Sequence, residues 1–487
     1  MKKIKAFIVL FTFCSLSFGQ ISILKEEQLL VDEDADLTLY SIGNKGFVLI
    51  QEFESEKSTR DKIWRFTHYD TDLSQEWIKD ITLEKSCRLS AVNVDHETLD
   101  LVYSIKNNSS LNTQDLTIAT ISSDGEVKTK DFVLKNASRI VGYAFINGFG
   151  YFSATKVNSG FSSGYEQDIA YIIDFESLSI TKKDFGFPIS SEINNLFSDG
   201  KTIYFYANWS QSNIQKDSII SVENGELAYK IPVKLPKETT IDNMQLIKAD
   251  STHNFFMGET KQWISGARIL SESYNYGLFI TKIEKDSIYP IQNVEKKYTE
   301  ELENKRDIRI LHGGSEGGNF SKKLMNNKYK INKCFRVNDR NYVVFDKYQT
   351  KRISMKKDRD PDVFFYTNTI IWCFNDDGVI EWSRNIEYDI ITPLANPVTS
   401  ARLNANNTIS IFGQFEDEIA AITIDLDGTI LGDLNPFKIK DEFDLDDYMA
   451  NNNITHLCDN KYVVWGLEHE SYEQTQKRLK KKDYNIK

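Results

Sequence analysis

Three short runs carry side chains that could do chemistry. In Ala420–Leu431, AAITIDLDGTIL, an apolar run leads into Asp425 and Asp427. Two carboxylates so close could serve as a nucleophile and a proton donor. Gly313-Gly314-Ser315-Glu316-Gly317 follows the apolar IRIL and offers a serine on a tight glycine turn, as a nucleophile for acyl transfer needs. Asp441, Glu442, Asp444, Asp446 and Asp447 form an acidic loop with oxygen ligands suited to Ca²⁺.

Each run lacks what its chemistry requires. The Asp425 run is similar to the nucleophile strand of haloacid-dehalogenase-type phosphatases, in which the first Asp attacks phosphorus and the second protonates the leaving group, but only about 60 residues follow Asp427, too few for the doubly wound domain of that family, and the segment aligns with sister hairpins elsewhere in the chain. The Ser315 run is similar to the nucleophile elbow of prolyl oligopeptidases, but the chain after it returns to hairpins, with only His456 and His469 still to come. The acidic loop lacks the glycine and the spaced final glutamate of an EF-hand, so it reads as solvated. The six histidines show no HExxH spacing, which removes the usual zinc-hydrolase pattern. No cofactor is expected.

The elements around these runs are more informative. Asp-, Asn- or Gly-turned hairpins recur around Asp72, Asp124, Glu176, Asn224, Asp286, Asp377 and Asp427, at intervals of 52, 52, 48, 62, 91 and 50 residues. A second kind of hairpin alternates with them, as in GYAFINGFGYFSA, NLFSDGKTIYFYA and FRVNDRNYVVFD. Two hairpins make a four-stranded sheet, and such sheets at a period of about 50 residues predict a β-propeller. The expected fold is therefore all-β: a propeller of seven or eight four-stranded blades with one charged insertion at about 295–328. Val294, Tyr298 and Leu302 give that insertion a helical period.

The repeat resembles the blades of secreted bacterial propellers of the quinoprotein-like (PQQ) type, with an apolar strand, Asp, a turn Gly and then Trp. Gly378 precedes Trp382 by four residues, Gly225 precedes Tyr229 likewise, and Trp77 follows a turn without Gly. The resemblance covers about 37–466 and implies a fold. The quinone-dependent dehydrogenases of that group carry vicinal cysteines, and no two cysteines are adjacent here.

The chain opens with Lys2, Lys3 and Lys5, an apolar run from Ala6 to Leu16, and Ser17-Phe18-Gly19, which together read as a secretory signal peptide over 1–19. The expected organisation is then one propeller over 20–467 and a basic tail over 468–487. Losing three lysines takes the net charge from −12 to −15, which argues against nucleic acid as a partner. No later run is long and apolar enough to span a membrane. The expected location is periplasmic, cell-surface or extracellular. Cys87, Cys334, Cys373 and Cys458 read as strand thiols, with Cys334 and Cys373 able to pair if they share a sheet.

Long connections over 156–167, 209–216, 259–277 and 347–362 are expected to gather on one side of the scaffold, where binding usually resides. They supply the candidate contacts Trp209, Trp263, Arg268, Tyr274 and Tyr276, and the basic positions Arg352, Lys356 and Lys357. Aromatics with Arg anchor protein interfaces and stack on sugars, and a basic island in an acidic chain attracts anions. The expected function is binding of protein or glycan at the cell envelope without catalysis. The alternative is a polysaccharide hydrolase or lyase whose carboxylates meet at the propeller mouth.

Overall fold

The computed structural model describes residues 3–13, 21–32, 36–55, 60–95, 98–105, 113–135, 137–156, 167–187, 191–211, 214–233, 239–249, 254–263, 274–284, 287–288, 292–293, 308–309, 328–352, 362–375, 379–392, 399–404, 406–415, 418–431, 437–438, 453–458 and 461–467. Among them there are eight sheets and no α-helix. The fold is all-β and propeller-like, built from successive antiparallel sheets of four strands or four with one added.

In chain order the sheets are A (36–84), B (87–135), C (137–183), D (192–233), E (239–293), F (308–392) and G (399–438). Sheet H joins the two ends of the chain, in the order Ile21–Asp32, Lys3–Phe13, Lys461–Leu467, Asn453–Cys458. The segment expected as the core of a leader is thus a strand here, with Ala6–Thr12 registered against Leu467–Lys461. Its run of Phe, Ile and Val suits a strand as well as it suits a leader. Of the expected insertion, Ile308–Arg309 adds to sheet F parallel to Ile380–Thr392, and the segment expected as a helix lies outside the described residues.

The chain divides into two compact units. One holds sheets A, G and H with the turn Ser123–Gly125. The other holds sheets B to F. In the first unit, Asp36–Ser41 of sheet A and Thr399–Leu403 of sheet G each lie beside Asn453–Cys458 of sheet H. In the second, the opening strands of sheets C, D, E and F run side by side: Ala137–Ile146, Glu192–Ser198, Thr239–Ala249 and Lys328–Val337.

Strand period explains the stacking of the second unit. Successive side chains point to opposite faces, and here both faces are apolar. In the strand Thr202–Gln211, Ile203, Phe205 and Ala207 enter a core shared with Tyr151, Ala170 and Ile172 of sheet C. Tyr204 and Tyr206 enter another, shared with Ile241, Phe256 and Ile283 of sheet E. Sheet C repeats the device, since Phe152, Ala154, Tyr171 and Ile173 pack on Val102, Leu116 and Ile118 of sheet B. The opening strand of every sheet from B to F also carries a β-bulge, at Leu89/Ala91, Val141/Tyr143, Ile193/Asn195, Ile241/Asn243 and Ile331/Lys333. A bulge bends and twists its strand, so the repeat bends each sheet at the same place.

The closing hairpins of sheets A, B, F and G use one turn chemistry. Asp70 Oδ1 accepts the N–H groups of Asp72 and Ser74, and Asp425 Oδ1 those of Asp427 and Thr429, all within 2.7 to 3.0 Å. Asn375 and Ser122 accept from Val379 and Glu126 in the same way. The closing side chain therefore sits two residues before the Asp at which the sequence pattern centres the turn, and the carboxylate proposed as a phosphorus nucleophile is a turn cap.

These turns also receive neighbours. The Trp77 indole N–H donates to the Ser123 carbonyl at 2.8 Å, and its ring covers Gly125, whose φ is +81°. Gly125 is required twice over, because a Cβ there would lie 3.1 Å from the indole and the backbone is left-handed. Gly125→Ala is expected to cost upwards of about 1 kcal/mol and to lower the thermal midpoint followed by tryptophan fluorescence. An unchanged midpoint would remove this contact from the account.

Candidate functional site

The candidate contacts lie at one end of their sheets, the end that carries the connection between the second and third strands. Much of what the sequence suggests is open loop is ladder. Trp209 sits opposite Lys216, and the pairing continues to Gln211 and Ile214, so the connection shrinks to 212–213. Trp263 pairs with Tyr274 and Lys261 with Tyr276, leaving 264–273 between the strands. Arg352 pairs with Asp362, leaving 353–361. The reason is propensity: Trp and Tyr favour strands, and cross-strand pairing carries the ladder past the point where charged residues begin. Arg268, Lys356 and Lys357 lie outside the described residues, as do Ser315 and the acidic loop 441–447.

The register thus puts Trp209, then Trp263, Tyr274 and Tyr276, then Arg352 at the same end of three consecutive sheets, D, E and F. Trp209 is half-buried and Lys216 exposed.

Just beneath this end lie buried carboxylates that sequence reasoning did not single out. Asp168, on the third strand of sheet C, accepts the backbone N–H of Ile193 at 2.5 Å. Asp217, on the third strand of sheet D, accepts the Tyr206 hydroxyl at 2.7 Å, and that oxygen accepts the N–H of Ile241 at 3.4 Å. Ile193 and Ile241 are the bulge residues of the next sheet's opening strand. A buried carboxylate therefore fastens sheets C and D each to the edge backbone of the next sheet beside its bulge, directly in one case and through a phenol in the other. The available signal was an Asp just ahead of an apolar third-strand run, in QDIAYIID and KDSIISV.

Sheet F has a denser version. Asp346, fully buried, accepts Thr369 Oγ1 at 2.6 Å and the Tyr388 hydroxyl at 3.1 Å, and those two hydroxyls are 2.8 Å apart. The Tyr366 ring stacks on Tyr348 at 5.1 Å. Its hydroxyl is buried with no hydrogen-bond partner among the described residues. Burial first, and then the Asp346 charge, pushes the phenols of Tyr366 and Tyr388 well above their ordinary range. Tyr206 is raised in the same way by burial and Asp217. Tyr206 and Tyr388 stay protonated and donate to Asp217 and Asp346, which stabilises the buried carboxylates.

Among the described residues no group of three or more His, Cys, Asp or Glu could hold a metal ion. Cys334 and Cys373 do share sheet F, but the strand Arg340–Arg352 lies between theirs and they form no disulfide. Two strand spacings, roughly 9.6 Å, exceed the reach of a disulfide. Burial pushes the Cys334 thiol up to about 12.

No family model matches the chain, and no curated protein matches it. Among solved structures, a prolyl endopeptidase is similar at 9% identity and a TM-score of 0.37, over 81% of this chain. The chain spans about half of that enzyme, 49%. A cobalt-substituted Synechocystis apocarotenoid oxygenase is similar at 11% identity and a TM-score of 0.34, covering 57% of this chain and 71% of its own. No helix among the described residues is long and apolar enough to cross a membrane.

Tyr206→Phe removes the donor to Asp217 and the acceptor for Ile241. It is expected to cost about 1–3 kcal/mol in denaturant unfolding, because a buried carboxylate loses its partner. The buried phenols also set an alkaline limit. Their folded pKa values lie above the unfolded value near 10, so past about pH 10 the unfolded chain releases protons that the folded chain retains. Stability is expected to fall as pH rises through that point, and less steeply in Tyr206→Phe. A flat alkaline profile would mean that these phenols ionise freely in the fold.

Proposed function

We propose that this is an exported, non-catalytic binding protein that presents the second-connection end of sheets D, E and F to protein or glycan at the cell envelope. In the finer reading its sheets close as the blades of a propeller, with a leader over 1–19 that directs export. One observation carries the reading: strand register brings Trp209, Trp263, Tyr274, Tyr276 and Arg352 to one end of neighbouring sheets. Large rigid aromatics with Arg are the usual anchors of recognition surfaces.

The use of acids supports binding over hydrolysis. A glycosidase of the common kind holds two carboxyls about 5 to 9 Å apart at the scissile bond. Asp168, Asp217 and Asp346 accept bonds from a backbone amide, a tyrosine, and a threonine with a second tyrosine, all buried. They serve the scaffold under the binding end.

Glycan arrays and pull-downs from envelope extracts identify the ligand. The double variant Trp263→Ala/Tyr276→Ala is expected to weaken the captured interaction at least about tenfold, the loss of one or two anchors, with an unchanged unfolding transition. Unaltered binding by the double variant would move the site elsewhere. Turnover of a polysaccharide by the purified protein would overturn the non-catalytic reading.

A further inference from the structure

Sheet H is assembled differently from the other sheets. In sheets A to G four successive strands of the chain lie side by side, whereas the third strand of sheet H, Lys3–Phe13, comes from the segment proposed as a leader. It pairs antiparallel on both sides, Ala6–Thr12 with Leu467–Lys461 and Lys3–Phe13 with Asp32–Ile21. The third strand is an apolar middle strand elsewhere too. Ile118, Ile173, Ile220 and Trp372, on the third strands of sheets B, C, D and F, are fully buried. The run AFIVLFTF suits that place, and Val463, opposite Leu10, is fully buried.

Removing 1–19 on export takes out this strand alone. Ile21–Asp32 and Lys461–Leu467 run parallel to each other, since each is antiparallel to the strand between them, and they stand two strand spacings apart, roughly 9.6 Å. Each is then left with an open row of N–H and C=O groups facing the other. The outer strand cannot turn end for end to close the gap with an antiparallel ladder. Residues 33–35 tie Asp32 to Asp36 of sheet A, a reach of about 14 Å, and reversal would carry Asp32 roughly 36 Å along sheet H. The tail after Leu467 follows the neighbouring strand directly, but Tyr472 and Leu479 are its only strongly apolar residues as far as Asp483. A buried middle strand calls for a continuous apolar run.

We infer that the exported protein holds a strand-sized slot in sheet H, between Ile21–Asp32 and Lys461–Leu467, that takes an extended apolar segment of a partner protein. Two open edges give the guest a ladder on each side, where ordinary strand addition gives one, and the guest runs antiparallel to both. The register fixes its frame: the guest residue in the place of Ile8 stands opposite Trp465 on one side and Glu27 on the other. The slot involves none of the aromatic contacts proposed above and rests on the leader over 1–19.

Hydrogen exchange of the protein recovered after export, with its amino terminus read by mass spectrometry, tests the slot against a synthetic peptide of the sequence Lys3–Phe13. Expected are a terminus at Gln20 and fast exchange in Lys461–Leu467 of the protein alone. Added peptide should slow exchange at least tenfold there and in Ile21–Asp32, and raise the thermal midpoint. A peptide carrying Ile8→Pro, which lacks an N–H in the middle of the ladder, should do neither. A terminus at Gln20 with exchange unaltered by the peptide would overturn the slot and leave the leader standing. Slow exchange in Lys461–Leu467 before any peptide is added would also overturn it, because the chain itself would then cover that edge. A terminus at Met1 would overturn the leader and the slot together, since the chain's own first strand would fill the place.

Discussion

The structure depends on one constraint: sheets C and D each have two apolar faces and bury them against two different neighbours. Ile203, Phe205 and Ala207 look one way and Tyr204 and Tyr206 the other, within a single strand. Burying a Phe or Tyr contributes on the order of 1.5–3 kcal/mol, so a sheet left with one bare face would forfeit several such terms. Sheets of this kind stack in series because no single one is a folding unit.

Stacking creates a backbone problem that the buried acids solve. An opening strand lies at the edge of its sheet and turns N–H groups outward with no ladder partner, and a buried unpaired N–H is costly. Asp168 meets the one at Ile193, and Asp217 meets the one at Ile241 through Tyr206. The charges sit below the second-connection end, where they hold neighbouring sheets in register. The aromatic and basic positions at that end are therefore carried on ladders and fasteners, and loops contribute less than their sequence suggests.

Much of this was legible in the sequence, and the misses have physical causes. Alternating apolar residues and turn residues at regular spacing identify the hairpins, because strand period and turn chemistry are local. Loop lengths were overestimated at 209–216, 259–277 and 347–362, since how far a ladder runs, as in the pairing of position 263 with 274, depends on where both strands are placed. The turn caps Asp70 and Asp425 were displaced by two residues for a related reason: a five-residue turn closes on its first member. The fasteners Asp168, Asp217 and Asp346 were missed altogether, because a charged residue in an apolar run reads as a strand end until its partner on another strand is known. The apolar start of the chain satisfies both a leader and a strand, so sequence periodicity alone does not separate the two roles.

Hydrogen exchange read by mass spectrometry, on two single-residue core variants, tests the shared-face arrangement most directly. Phe205→Ala opens the core between sheets C and D, and Tyr204→Ala the core between D and E, each at a cost of a few kcal/mol. The arrangement predicts that the first speeds exchange in Phe149–Lys156 and Gln167–Asp174, and the second in Asn254–Trp263 and Tyr274–Glu284, with sheet D affected by both. Identical patterns in the two variants, or changes confined to sheet D, would contradict it.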